Sequence, residues 1–122
     1  MATIKVMSGG APKEVFGKLT PLFEKQSGHT VSYSFAVMSA LRDRLAAGEA
    51  ADVLAMPTNV LDGYQTSGVV REAGRGVLGL VPVNAVVRTG AAKPNLSSVD
   101  AVKRAMLNAR SIVFPTPGAT PS

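Results

Sequence analysis

Apolar positions recur along the chain with two periods, first every second residue and then every third or fourth. Ile4, Val6 and Met7 mark a buried opening strand. Val15, Phe16, Leu19, Leu22 and Phe23 follow at helical spacing and predict an amphipathic helix over residues 12–27, stopped by Gly28 and kinked at Pro21. Residues 31–35 alternate as a second strand. A second helix over about 39–47 places Leu41 and Leu45 on one face, and Gly48 closes it. The apolar run 52–56 reads as a central strand, and residues 57–59 open a third helix that ends at Gly68. A β-α-β-α-β-α order predicts a right-handed, mostly parallel sheet with helices on both faces, a three-layer α/β lobe.

The character changes after Val70. Glycines stand at 74, 76 and 79, and the apolar stretch 77–87 is interrupted by Pro82 and Asn84. It reads as an extended crossover with a hinge at 82–84. Residues 86–88 and 111–114 are predicted strands. Between them lies a helix carrying Val99, Val102, Ala105, Met106 and Ala109, with Ser97 and Asp100 as a capping box. Residues 115–122 read as a loop. The expected division is therefore a first lobe over 1–82 and the start of a second, β-α-β lobe over 83–122, too small to cover both faces of its own sheet.

In a parallel α/β sheet, ligands bind beyond the carboxyl ends of the strands, where strand order reverses. The loops at 8–11, 36–39 and 56–58 fall there, and 118–122 lies at the equivalent end of the last strand. The Ser8-Gly9-Gly10-Ala11 turn leads from a strand into a helix. Its open main-chain N–H groups and the helix dipole suit an oxyanion or a carboxylate. Ser8, Ser39 and Thr58 would bring three hydroxyls to one rim, although each residue type is equally at home as an N-cap. Met38 is the methionine that falls in a rim loop.

Composition narrows the chemistry. The chain has 122 residues, 46% apolar and 17% charged, so it is globular, with few aromatics. The formal charge of +5 comes from scattered Lys and Arg without a basic block, which argues against nucleic-acid binding. No apolar run is suited to crossing a bilayer. The start, Met1-Ala2-Thr3, lacks a basic region followed by an apolar one, so no secretory leader is read here, and the expectation is either a cytoplasmic protein or one whose leader has been removed. Zero cysteines exclude disulfides and thiolate metal sites.

Catalysis has little support. His29 lies in the turn before the second strand, and Asp52 and Asp62 do not form a pair on the rim, so hydrolytic and metal-assisted chemistry lack their residues. No catalytic residue, metal ligand or cofactor is assigned, and a non-enzymatic protein is expected. Ser8-Gly9-Gly10-Ala11-Pro12-Lys13 does not match the dinucleotide fingerprint, and a Walker A loop is absent.

The succession of residues 4–10, 22–29, 34–36, 41–53 and 87–94, followed by the Ser97 helix, resembles the amino-terminal half of a bacterial periplasmic solute-binding protein. The branch it is most similar to is the molybdate-binding component of ABC transporters. The resemblance implies a type II periplasmic binding protein fold, two α/β lobes closing on a tetrahedral oxyanion or small polar ligand held by neutral hydrogen bonds. It also implies a periplasmic location and an ABC transporter permease as partner. Carried over by position, Ser8 supplies a hydroxyl with the Gly9 N–H beside it and Gly10 following. Met38 and Ser39 supply the second contact, and Gly118 and Thr120 begin the far lobe. The family usually has a serine pair where this chain has Val37-Met38.

Unpaired strand edges predict a homodimer, with the second unit exchanged between protomers through the hinge near Pro82. The competing expectation is a shortened relative that no longer binds ligand and serves as a dimerising structural module.

Overall fold

The computed structural model describes residues 1–114. Two compact units are present, residues 1–78 and 79–114. The first begins with β1 (Thr3–Ser8), α1 (Lys13–Ser27), β2 (Thr30–Phe35) and α2 (Met38–Ala46). It continues through β3 (Val53–Ala55) and α3 (Thr58–Thr66) to a short 3-10 turn at Glu72–Gly74. The strands are parallel in the order β2-β1-β3.

Each boundary has a local cause. Gly28 adopts φ 72°, a left-handed conformation natural to glycine, and its N–H donates to the Glu24 carbonyl at 2.9 Å. Pro21 is carried inside α1. Asp52 joins β3 to β1 twice: its N–H donates to the Lys5 carbonyl at 2.9 Å, and its Oδ2 accepts from the Lys5 N–H at 2.8 Å. Removing that carboxylate in Asp52→Ala is expected to cost about 1 kcal/mol, measured by urea unfolding.

The crossover β1-α1-β2 runs one way across the sheet and β2-α2-β3 runs the other, so right-handed connections put α1 and α2 on opposite faces. Side-chain packing agrees. Phe16 of α1 stacks on Tyr33 of β2 at 5.1 Å between ring centroids, and Tyr33 stacks on Phe35 at 5.3 Å. On the other face Met7, Met38 and Leu41 are buried together, flanked by Ala36, Leu45, Ala51, Leu54 and Met56. The α/β lobe expected from periodicity is therefore present, with three parallel strands between helical layers.

Several expectations need correction. The run 52–56 does not form a central strand: β3 is three residues long and at the edge, while β1 is central. Continuous hydrophobicity reports burial on two faces, but it does not say which neighbours a strand acquires. The apolar side of α1 is less covered than its period suggests, with Val15, Leu19 and Leu22 at least half exposed.

Within residues 79–114, α4 (Val99–Asn108) is the regular element. Its cap is Ser98, whose side chain accepts from the Ala101 N–H at 3.1 Å; Ser97 instead bonds to Asn95 Oδ1. The strands expected at 86–88 and 111–114 are absent. Strand propensity becomes a strand only through a ladder partner, and among the described residues neither segment has one. Val86 and Val113 are over nine-tenths exposed.

Arg44 of α2 forks onto Glu49, with Nε 2.6 Å from Oε2, and its Nη1 donates to Ser34 Oγ at 2.7 Å. The hydrogen bond from Arg44 holds the Glu49 carboxyl below its ordinary range. A depressed carboxylate stabilises the fold above its unfolded value and stops doing so as pH falls through the folded one. Glu49→Gln should therefore lower stability at neutral pH and match the parent in strong acid, in paired unfolding curves.

Candidate functional site

The register brings three connections to one end of the sheet. Ser8 is level with Phe35 on β2 and with Ala55 on β3, so the loops at 9–12, 36–37 and 56–57 leave from a common row. Strand order reverses at β1, and this row is therefore the switch point where α/β sheets take ligands.

Two further main-chain bonds hold the row together. The Ala36 N–H donates to the Ser8 carbonyl at 3.1 Å, and the Gly9 N–H donates to the Ala55 carbonyl at 3.2 Å. The Gly9 N–H is thus engaged in the sheet. Ser8 is fully buried, and its hydroxyl donates to the Gly9 carbonyl at 2.8 Å. The structure therefore gives Ser8 and Gly9 the work of shaping the turn. Gly10 is half-buried at its mouth, and its carbonyl accepts from the Lys13 N–H at 3.1 Å.

The helix starts carry the open donors. Pro12, Val37 and Pro57 occupy the N-cap positions of α1, α2 and α3, and none makes a side-chain cap bond. Ser39 and Thr58 are exposed within the first turns of α2 and α3. The Met38 side chain is buried against Met7 and Leu41, so only its main chain faces the rim. Among the described residues the N–H groups of Gly10, Ala11, Ser39, Ala40 and Thr58 find no acceptor. A missing N-cap forgoes about 1 kcal/mol. Three helices at one rim forgo it, whereas α4 is capped. Gly118 and Thr120 lie outside the described residues.

A positive side chain joins this row that hydroxyl counting missed. Lys13, the first residue of α1, holds its ammonium 5.5 Å from the centroid of the Phe35 ring. The sequence signal was its position at a helix start beside the glycine turn. His29 lies at the other end of β1, where its Nδ1 accepts from the Ala2 N–H at 3.1 Å. Elsewhere an open groove of about 340 Å3 runs between α2 and α3 past Arg42, Asn59 and Tyr64. No group of three or more His, Cys, Asp or Glu suited to a metal occurs among the described residues. No described helix is long and apolar enough to cross a membrane.

Residues 4–122 match the family described as bacterial extracellular solute-binding protein. A curated relative, an aconitate isomerase from Pseudomonas sp, is 32% identical over 119 residues, which cover 93% of this chain and 45% of the relative. The chain thus spans less than half the length of that protein. The expectation of a non-enzymatic protein is overturned by this relative, which is named as an enzyme. Lack of paired carboxylates and of a serine–histidine pair argues against hydrolysis, but an isomerisation can proceed by proton transfer through a single well-placed group. On the match over 4–122, with the parallel α/β lobe that accompanies it, the chain belongs to the bacterial extracellular solute-binding protein family.

Proposed function

We propose that this chain supplies one wall of a pocket for a small organic acid with two or three carboxylates, and that the protein built on it isomerises such an acid. The observation that carries the reading is the set of three uncapped helix starts on one row of strand ends. Carboxylate oxygens accept from such N–H groups and take up the orphan donors that the fold leaves open. The name of the Pseudomonas relative supports the choice of ligand class, since aconitate is a tricarboxylate. Removing a proton next to a carboxylate spreads negative charge onto its oxygens, and fixed main-chain donors stabilise that charge without reorganising.

Molybdate is the narrower oxyanion alternative. It would draw on the same donors, with Ser39 and Thr58 as the exposed hydroxyls. Calorimetric titration of the chain with cis-aconitate, trans-aconitate, molybdate and sulfate decides between them. Binding of either aconitate by the chain is the expected result, and conversion between the isomers, followed by proton NMR, is expected of the longer protein built on this wall. Heat from molybdate alone would replace the organic-acid reading with the oxyanion one, and binding without conversion by that longer protein would reduce it to a binding role. Thr58→Pro tests the donors directly, because Pro57 at ψ 144° already suits a following proline at the first helical position. It should weaken binding several-fold while leaving the thermal midpoint unchanged.

A further inference from the structure

We infer that Lys13 is the residue by which this rim selects ligands of higher negative charge; the inference rests on the organic-acid reading above. Its ammonium stands over the Phe35 ring, and Phe35 is the register partner of Ser8. The charge therefore stands over a residue of the strand-end row, on a helix whose first N–H donates to the Gly10 carbonyl at 3.1 Å. The ring beneath it is held in a stack: Phe35 lies on Tyr33 at 5.3 Å, and Tyr33 on Phe16 at 5.1 Å. The Tyr33 hydroxyl is 2.7 Å from Thr20 Oγ1 of α1, which ties the stack to the helix that carries Lys13.

Among the described residues no carboxylate lies within ion-pair distance of Lys13. The neighbouring Glu14 pairs with Lys18 at 3.2 Å, and the other ion pairs use Arg44 and Arg75. A cation steadied by a π face keeps its charge available to an incoming anion, whereas one paired with a carboxylate does not. Main-chain donors respond chiefly to the oxygen atoms they meet. An ammonium responds also to the total charge of the ligand, and its attraction weakens with salt. The rim thus combines neutral donors that orient one carboxylate with one cation that favours a ligand carrying a second or third.

The test uses the full chain and the saturated acids acetate, succinate and tricarballylate, so that no turnover intervenes. Affinity should rise along that series for the parent. Lys13→Gln should lose about tenfold for tricarballylate, little for acetate, and most of the salt dependence between about 50 and 300 mM. Lys13→Arg should keep the ranking. A Lys13→Gln variant that binds all three acids like the parent, with the same salt dependence, overturns the inference and leaves the organic-acid reading intact. A parent that binds none of the acids, aconitate included, overturns both. A uniform loss for all three acids in Lys13→Gln, with salt dependence retained, would assign Lys13 a structural role and also overturn the inference.

Discussion

Leu41→Ala should lower the unfolding free energy by about 3 kcal/mol, enough to remove a large share of the stability of a lobe this small. Leu41 is fully buried and touches the only cluster of buried apolar side chains among the described residues, with Met7 and Met38. Truncation there removes the transfer term and leaves a cavity that short, well-packed elements cannot collapse around. Leu22 provides the contrast: it is 59% exposed on α1, and Leu22→Ala should stay within about 0.5 kcal/mol. Urea unfolding of the two variants against the parent measures both. Equal losses would mean that the core lies elsewhere than between the sheet and α2.

Gly10→Asp should abolish ligand binding, by about 100-fold or more, while stability holds or rises. Gly10 does not have a positive φ, so a side chain imposes no left-handed strain there. An aspartate at the mouth of the turn would place a carboxylate among the open donors at the start of α1, the helix that carries Lys13. It would act as an internal ligand, completing the helix start while repelling any external anion. Calorimetry with cis-aconitate reads the loss, and the thermal midpoint reads the compensation. Binding that survives in this variant would place the ligand away from the β1–α1 turn and remove the main support for the proposed pocket.

Local elements were largely legible. The helical period of residues 15–23 and the glycine at 28 anticipated α1 and its stop, and alternation over 31–35 anticipated β2. The rim was legible in outline, because strand-loop-helix order alone sends three loops to one end of a parallel sheet. The use each polar group makes of that position was not. Ser8 read as a ligand hydroxyl, yet it is fully buried and satisfied by the Gly9 carbonyl, a contact that exists only once the turn has closed. Met38 read as a rim side chain, yet the start of α2 turns it into the core. Lys13 looked like one of many scattered charges until β2 brought Phe35 beneath it.

The sequence by itself determined the succession of strands and helices in the first lobe and the family resemblance, since both are written in short-range patterns of residue type. Tertiary structure alone decided that β1 is central and β3 an edge. It also decided that residues 86–88 and 111–114 find no ladder partner among the described residues, and that α1, α2 and α3 begin without side-chain caps there while α4 has one. The physical reason is common to all of these. A periodic pattern is a property of neighbours in the chain, whereas pairing, burial and hydrogen-bond satisfaction depend on residues far away in sequence that folding brings near.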